Sequence, residues 1–366
     1  MSQPKNLPSR GPAVGSADMR LDQDVRTLTA DLVDVRSESG DEKALADAIE
    51  EALRRLPHLT VDRHGNNVVA RTFLGRAERV VVAGHLDTVP IAGNVPSRVE
   101  GNRLIGCGGT DMKAGVAVQL KLALLGAPNR DLTLVFYDLE EVEAARNGLG
   151  LLVREHPDWV SGDFAVLMEP TDGVIEGGCQ GTIRAEIVSR GVRAHSARSW
   201  LGFNAIHGAA QILNRLAAYE PRRPVVDGLE YHEGLNAVLI RGGHAGNVIP
   251  DECVVTVNYR FAPDLTEEQA QNHLREVFDG FEVTIVDSAP GARPGLDHPV
   301  AAAFTAVVGG EPRAKVAWTD VARFSALGVP AVNYGPGDPA MAHKVDEYVE
   351  LDKIVEAERV MTAWLT

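Results

Sequence analysis

Apolar positions recur at helical spacing through residues 24–35 and again through 41–56, so both segments predict amphipathic helices. Short apolar runs at 67–71 and 79–85 predict strands. Two further runs, 131–138 and 163–168, are continuously apolar, and each follows a helical segment, one of which is 114–125. Runs of that kind predict parallel strands buried on both faces. The rhythm changes at 179–290, which reads strand 182–190, helix 203–219, strand 235–242, strand 252–261, helix 266–278, strand 282–288. This βαββαβ order is that of a ferredoxin-like unit, complete in itself. Beyond it, helices at 299–308 and 320–327, a strand at 331–334 and a helix at 351–364 resume the first pattern. The expected fold class is α/β: a mixed, mainly parallel sheet flanked by helices, built from 21–178 and 291–366, with 179–290 inserted. Residues 1–20, rich in Pro, Gly and Ser and without an apolar period, are expected to form a disordered leader.

Length and charge narrow the function. A chain of 366 residues, 45% of them hydrophobic, can bury a core large enough to divide in two. Its 36 basic and 51 acidic residues leave a net charge of -15, which repels phosphate backbones and anionic lipid, so nucleic acid is not an expected partner. No apolar run approaches the roughly 20 residues of a membrane helix. Cys107, Cys179 and Cys253 are too few and too scattered for a disulfide framework or a thiolate metal site, and fit a reducing, cytoplasmic setting.

Candidate chemistry gathers at the predicted strand ends. His85 closes one strand, Glu140 and Glu141 close the next, and Glu169 closes a third. In an open α/β sheet those ends face a common crevice. A cluster of carboxylates there needs a cation or protons to exist. Asp87, two residues beyond His85, lies on the same strand face and is placed to orient the imidazole. Asp111 precedes a predicted helix, so it reads either as an N-terminal cap or as a bridging carboxylate. Adjacent acids are most often solvated surface charge, but Glu140 and Glu141 end an apolar strand. There, one can bind metal while the other accepts a proton. His343, in a loop rich in Gly and Pro, offers the nitrogen donor the set lacks. A dinucleotide-binding loop is a poorer reading, because 106–109 lacks GxGxxG spacing.

Five motifs in this order, Gly84-His85-Leu86-Asp87-Thr88-Val89-Pro90, Gly109-Thr110-Asp111-Met112-Lys113, Glu140-Glu141, Met168-Glu169-Pro170-Thr171 and the late His343, resemble the aminoacylase and carboxypeptidase group of two-zinc hydrolases. The resemblance runs from about residue 24 to the C-terminus. It implies one zinc on His85 and Glu169, a second on Glu141 and His343, and Asp111 bridging both, with cobalt admissible in one position. It also implies that Asp87 orients His85 and that Glu140 is the general base. The substrate class implied is a small N-acyl amino acid. Arg193-Ala194-His195-Ser196-Ala197-Arg198 and Gly202-Phe203-Asn204 are similar to the desuccinylase and deacetylase branch of that group. In that branch the matching lid histidine stabilises the oxyanion in the partner subunit's site; taken alone, His195 reads as a helix cap or surface residue. Asn247, Arg260 and Thr319 fall where the branch binds substrate. A homodimer through the inserted lid is therefore expected, consistent with the open sheet edge of a ferredoxin-like unit. The chain departs from the branch at Cys107, at Cys179-Gln180, where some members carry a basic pair for a substrate carboxylate, and at Pro339. Arg184, Arg193, Arg198 and Arg260 are the candidates to replace that pair. A non-catalytic homologue acting as a binding module is the alternative from another class.

Overall fold

The computed structural model describes residues 19–366, which form two compact units. One contains the chain to Gly177 with Gly295–Arg313 and Arg323–Thr366; the other contains Gly178–Pro294 and Ala314–Ala322. Segment 314–322 therefore groups with the inserted unit, where the sequence pattern had placed it with the terminal part. Its backbone explains this, since Gln180 N–H donates to Lys315 O at 3.2 Å. The expected leader lies outside the described residues as far as residue 18. Met19, included in that expectation, is instead buried in the core with Leu21.

The first unit is built on an eight-stranded mixed sheet. Its strands include β1 (Thr60–His64), β2 (Asn67–Arg71), β3 (Arg79–His85), β4 (Asp131–Tyr137), β5 (Phe164–Leu167) and β6 (Glu176–Gly177). The order is β1-β2-β4-β3-β5, then Ala331–Asn333, β6 and Arg313–Ala314. β3 pairs in parallel with both β4 and β5, and Ala331–Asn333 in parallel with β5, whereas β2 runs antiparallel to β4. The apolar runs sit at the centre, as expected: every residue of β4 and β5 is buried. Each fully buried Val, Leu or Phe there contributes about 1.5–3 kcal/mol.

Helices α1 (Val25–Asp34), α2 (Lys43–Arg54) and α3 (Ala114–Leu122) add Leu28, Leu32, Leu45, Ile49, Val116 and Leu120 to the same core as the sheet. α3 is buried almost all round, so its apolar residues show little periodicity. It packs tightly on the end of β5. A Cβ on Gly115 would lie 2.2 Å from Met168 O, so only glycine permits this approach beside Glu169. Among the described residues no helix is long and apolar enough to cross a membrane.

The second unit is sheet-rich. Strands β7 (Gly181–Arg190), β8 (Gly234–Gly242), β9 (Glu252–Phe261) and β10 (Glu282–Ala289) form an antiparallel sheet in the order β8-β9-β7-β10. Ile183, Ile187, Val255 and Tyr259 pack with Ile212, Leu274 and Phe278 of the helical segments. The expected helix 203–219 is shorter and broken, comprising Ala205–Gly208 and Ala210–Ala217. It starts where Asn204 caps it, accepting from Ile206 N–H and His207 N–H. β8 lies at an edge, with Val238, Leu239 and Ile240 all at least half exposed.

Candidate metal centre

Three neighbouring strands deliver the site. β3 ends on His85, β5 ends two residues before Glu169, and β4 ends at Tyr137, three residues before Glu140. Glu140 and Glu141 therefore lie on a loop rather than on the strand itself. Leu139 turns that loop with φ of 56°. Asp87 anchors it: its two carboxylate oxygens accept the N–H groups of Glu140 and Glu141 at 3.0 Å each, and Ser39 Oγ donates to it at 2.8 Å. His85 is buried, with Nδ1 3.0 Å from the backbone oxygen of Asp87 and 3.4 Å from its carboxylate. The other ring nitrogen is 3.2 Å from Asp111 Oδ1. Burial disfavours the charged imidazole, but Asp111 and Asp87 outweigh it and raise the His85 pKa well above its ordinary value.

Asp111 is the common member. His85, Asp111 and Glu169 present ligand atoms within 4.8 Å of one another, and so do Asp111, Glu141 and His343. His343 Nε2 lies 2.9 Å from Glu141 Oε1 and 3.4 Å from Asp111 Oδ2. Hydrogen bonds to those two carboxylates push His343 up to about 10. Burial alone would raise the pKa of Asp111, yet His343 and His85 hold it well below the usual carboxylate range. The carboxylates favour the charged imidazoles and the imidazoles the charged carboxylates, so the cluster is electrostatically suited to a cation. The donor sets, imidazole with carboxylates sharing one bridging acid, fit a pair of divalent ions. Glu140 also stands within 4.8 Å of His85 and Glu141 through its own ligand atom.

Glu347 belongs to the site and carried no sequence motif that pointed to it. It is buried, and its carboxylate accepts N–H groups of Gly108, Thr110 and Asp111. Burial pushes its pKa up to about 7 against those three donors. The signal available was slight, an acid four residues after His343 in a strand-like segment.

The remaining sequence candidates lie in the second unit, in two groups. Ala194–His195 pairs with Val248–Ile249, which brings exposed His195 beside Asn247, whose carbonyl accepts Ser196 N–H at 2.9 Å. His195 Nδ1 accepts Ala197 N–H at 3.0 Å, so the side chain caps the short helical turn that follows. Arg260 and Thr319 belong to the other group, around buried Cys179, whose thiol lies 3.6 Å from Thr319 O. Arg260 is half-buried and its Nε donates to Asn258 Oδ1 at 3.1 Å. Gln180 is also buried, and its amide is used on His232 O.

A parallel-centred sheet whose strand ends and adjoining loops gather two ligand triads that share Asp111 is the arrangement of a metal-dependent hydrolase. Residues 81–366 match the model of peptidase family M20/M25/M40, and the chain belongs to that family. It is 55% identical over 342 residues to a Mycobacterium tuberculosis protein provisionally named succinyl-diaminopimelate desuccinylase DapE, covering 92% of this chain and 97% of that one. It is 49% identical over 351 residues to succinyl-diaminopimelate desuccinylase of Corynebacterium glutamicum, covering 93% and 95%. The fold is also that of aminopeptidase PepT from Bacillus cereus, at TM-score 0.75 and 16% identity over 93% of this chain and 97% of that one. A dinuclear metal-binding M20 peptidase from Bacillus subtilis superposes with TM-score 0.68 at 18% identity, over 93% and 96%.

Proposed function

We propose that this chain is a succinyl-diaminopimelate desuccinylase, hydrolysing N-succinyl-LL-2,6-diaminopimelate to succinate and LL-2,6-diaminopimelate for diaminopimelate and lysine synthesis in the cytoplasm. The observation that carries the reading is the near end-to-end relationship to the M. tuberculosis and C. glutamicum proteins, joined to a complete pair of metal-ligand triads. A non-catalytic binding module would have no need to keep both triads.

In this reading the triads would hold two zinc ions, one of them exchangeable for cobalt. His85 and Glu169 would hold one and Glu141 and His343 the other, with Asp111 common to both triads. When bound, the pair lowers the pKa of water and polarises the scissile carbonyl. Asp87 fixes His85 and the Glu140-Glu141 loop together. Glu140 takes the proton from the attacking water and returns it to the departing amine as the C–N bond breaks. Asn247, Arg260 and Thr319 bind substrate. Among the described residues Arg260 has no ion-pair partner, and burial lowers its pKa without a carboxylate to offset it, as suits a guanidinium that receives a substrate carboxylate.

The sheet-rich unit reads as a ferredoxin-like lid; β8-β9-β7-β10 with helical segments in its core is the arrangement that βαββαβ order produces. Its exposed β8 edge suits a homodimer, and His195 acts on the partner's site. Because Nδ1 accepts a backbone N–H, the neutral ring carries its proton on Nε2, the form that donates to an oxyanion. The rival reading keeps the mechanism and changes the acyl group, to acetylornithine deacetylase or a broader N-acyl-amino-acid hydrolase or dipeptidase. It is favoured by Cys179 and Gln180, which are buried and engaged where a basic pair would meet succinate. Initial rates on N-succinyl-diaminopimelate, N-acetylornithine and dipeptides with the zinc-loaded protein decide between them. A higher kcat/KM on either of the latter two would overturn the desuccinylase assignment.

A further inference from the structure

We infer that Glu347 is a positioning residue for the bridging carboxylate, locking the loop that carries Asp111 to the segment that carries His343. The inference rests on the two-metal reading above and adds to it a group outside both ligand triads. Glu347 Oε2 accepts Gly108 N–H at 3.0 Å, while Oε1 accepts Thr110 N–H at 2.8 Å and Asp111 N–H at 3.0 Å. The side chain is buried, so these bonds are made where water does not compete.

The surrounding backbone shows why a side chain is needed. Tyr348 pairs with Ile105, Gly106 N–H donates to Glu347 O at 3.1 Å, and there the strand-like zipper stops. The next residues leave extended geometry: Gly108 has φ of 76°, and Asp111 and Met112 are non-helical where α3 is about to begin. The stretch between the zipper and α3 is held at long range by Cys107 N–H on Asn94 O, Thr110 Oγ1 on Tyr348 O and Lys113 Nζ on Val35 O, and within it Glu347 is the carboxylate that faces three backbone N–H groups at once, that of Asp111 among them. Glu347 lies four residues after His343, so its carboxylate, together with the Thr110 hydroxyl on Tyr348 O, ties the segment that carries His343 to the loop that carries Asp111.

An amide cannot replace it. Both carboxylate oxygens act as acceptors, and glutamine must turn its NH2 toward Gly108 N–H or toward the Thr110 and Asp111 pair. Aspartate keeps the charge but is one methylene too short to reach both sides. Loss of a group that orients metal ligands typically weakens metal affinity by about 10- to 100-fold.

The test uses Co2+ as probe on the metal-free full chain, with circular dichroism for the fold, chelator competition for affinity and the visible spectrum of bound Co2+ for coordination geometry. Wild type is expected to take up two equivalents. Glu347→Gln and Glu347→Asp are both expected to fold, to lose about 10- to 100-fold in affinity for at least one equivalent, and to show an altered Co2+ spectrum. Wild-type affinity and spectrum in Glu347→Gln, with only a lowered Tm, would overturn the inference and leave the two-metal reading intact. Full recovery in Glu347→Asp would also overturn it, because charge alone would then suffice. If neither variant folds in excess Co2+, Glu347 is a folding determinant and the positioning role falls. A wild-type chain that binds fewer than two equivalents would remove the two-metal reading itself.

Discussion

Glu140 and Glu141 differ by one position, and the structure assigns them different surroundings, so exchanging each for glutamine separates proton transfer from metal binding. Glu141 lies 2.9 Å from His343 and shares a triad with Asp111. Glu140 has no part in that triad, and its backbone N–H bond to Asp87 survives replacement of its side chain. Glu140→Gln keeps the volume and the loop anchor and removes the ability to accept a proton. The expected loss is that of a general base, about 10²- to 10⁴-fold in kcat, or roughly 3–5 kcal/mol of barrier. Metal content stays at the wild-type level and KM changes little. Glu141→Gln is expected instead to lose one of the two ions and to regain part of its activity at high metal concentration. The assay is steady-state hydrolysis on dialysed protein with metal content measured on the same sample. A competing arrangement exists, because Glu140 also stands within reach of His85 and Glu141. If Glu140→Gln loses metal while Glu141→Gln keeps both ions and loses turnover, the division of labour is inverted.

Arg260→Ala is expected to raise KM for a succinylated substrate by about 10- to 100-fold, the value of a charge-assisted hydrogen bond, with little change for an acetylated one; equal effects on both would remove Arg260 from acyl recognition. Asp131 accepts Thr72 Oγ1, Leu74 N–H and Arg76 N–H. Burial opposes its charge, but these bonds bring its pKa below 3.8. A depressed folded pKa means that its stabilisation is present above that value and is lost as pH falls through the folded one. Asp131→Asn should therefore lower stability by about 1–3 kcal/mol at pH 7 in urea unfolding, with the gap closing below about pH 4. A gap that is constant with pH would refute the ionic origin. Mixing inactive Glu140→Gln with His195→Ala should restore part of the activity after subunit exchange, because one hybrid site then holds both wild-type groups. A mixture that stays dead after confirmed exchange would exclude action of His195 across subunits.

The contrast between what the chain announces and what it conceals follows from the range of the interactions. β3, β4 and β5 were legible because a strand buried on both faces must be apolar throughout, and Val80, Leu134 and Val166 report that without reference to distant partners. The grouping of the candidate ligands was legible for a related reason where strands deliver them, since the ends of β3 and β5 bring His85 and Glu169 side by side, whereas Asp111 and His343 reach the cluster from loops. The helix at 203–219 was misread in extent because its apolar residues keep helical spacing through Phe203, while the cap at Asn204 and the break near Gly208 are set locally. Met19 was read as leader because one buried side chain has no period. Glu347 was concealed for a deeper reason. Its partners are backbone N–H groups more than 230 residues away, which leave no trace in side-chain identity. Sequence patterns report groups that bind ions through side chains, whereas the group that holds those ligands still is recognised only when the backbone it grips has been folded around it.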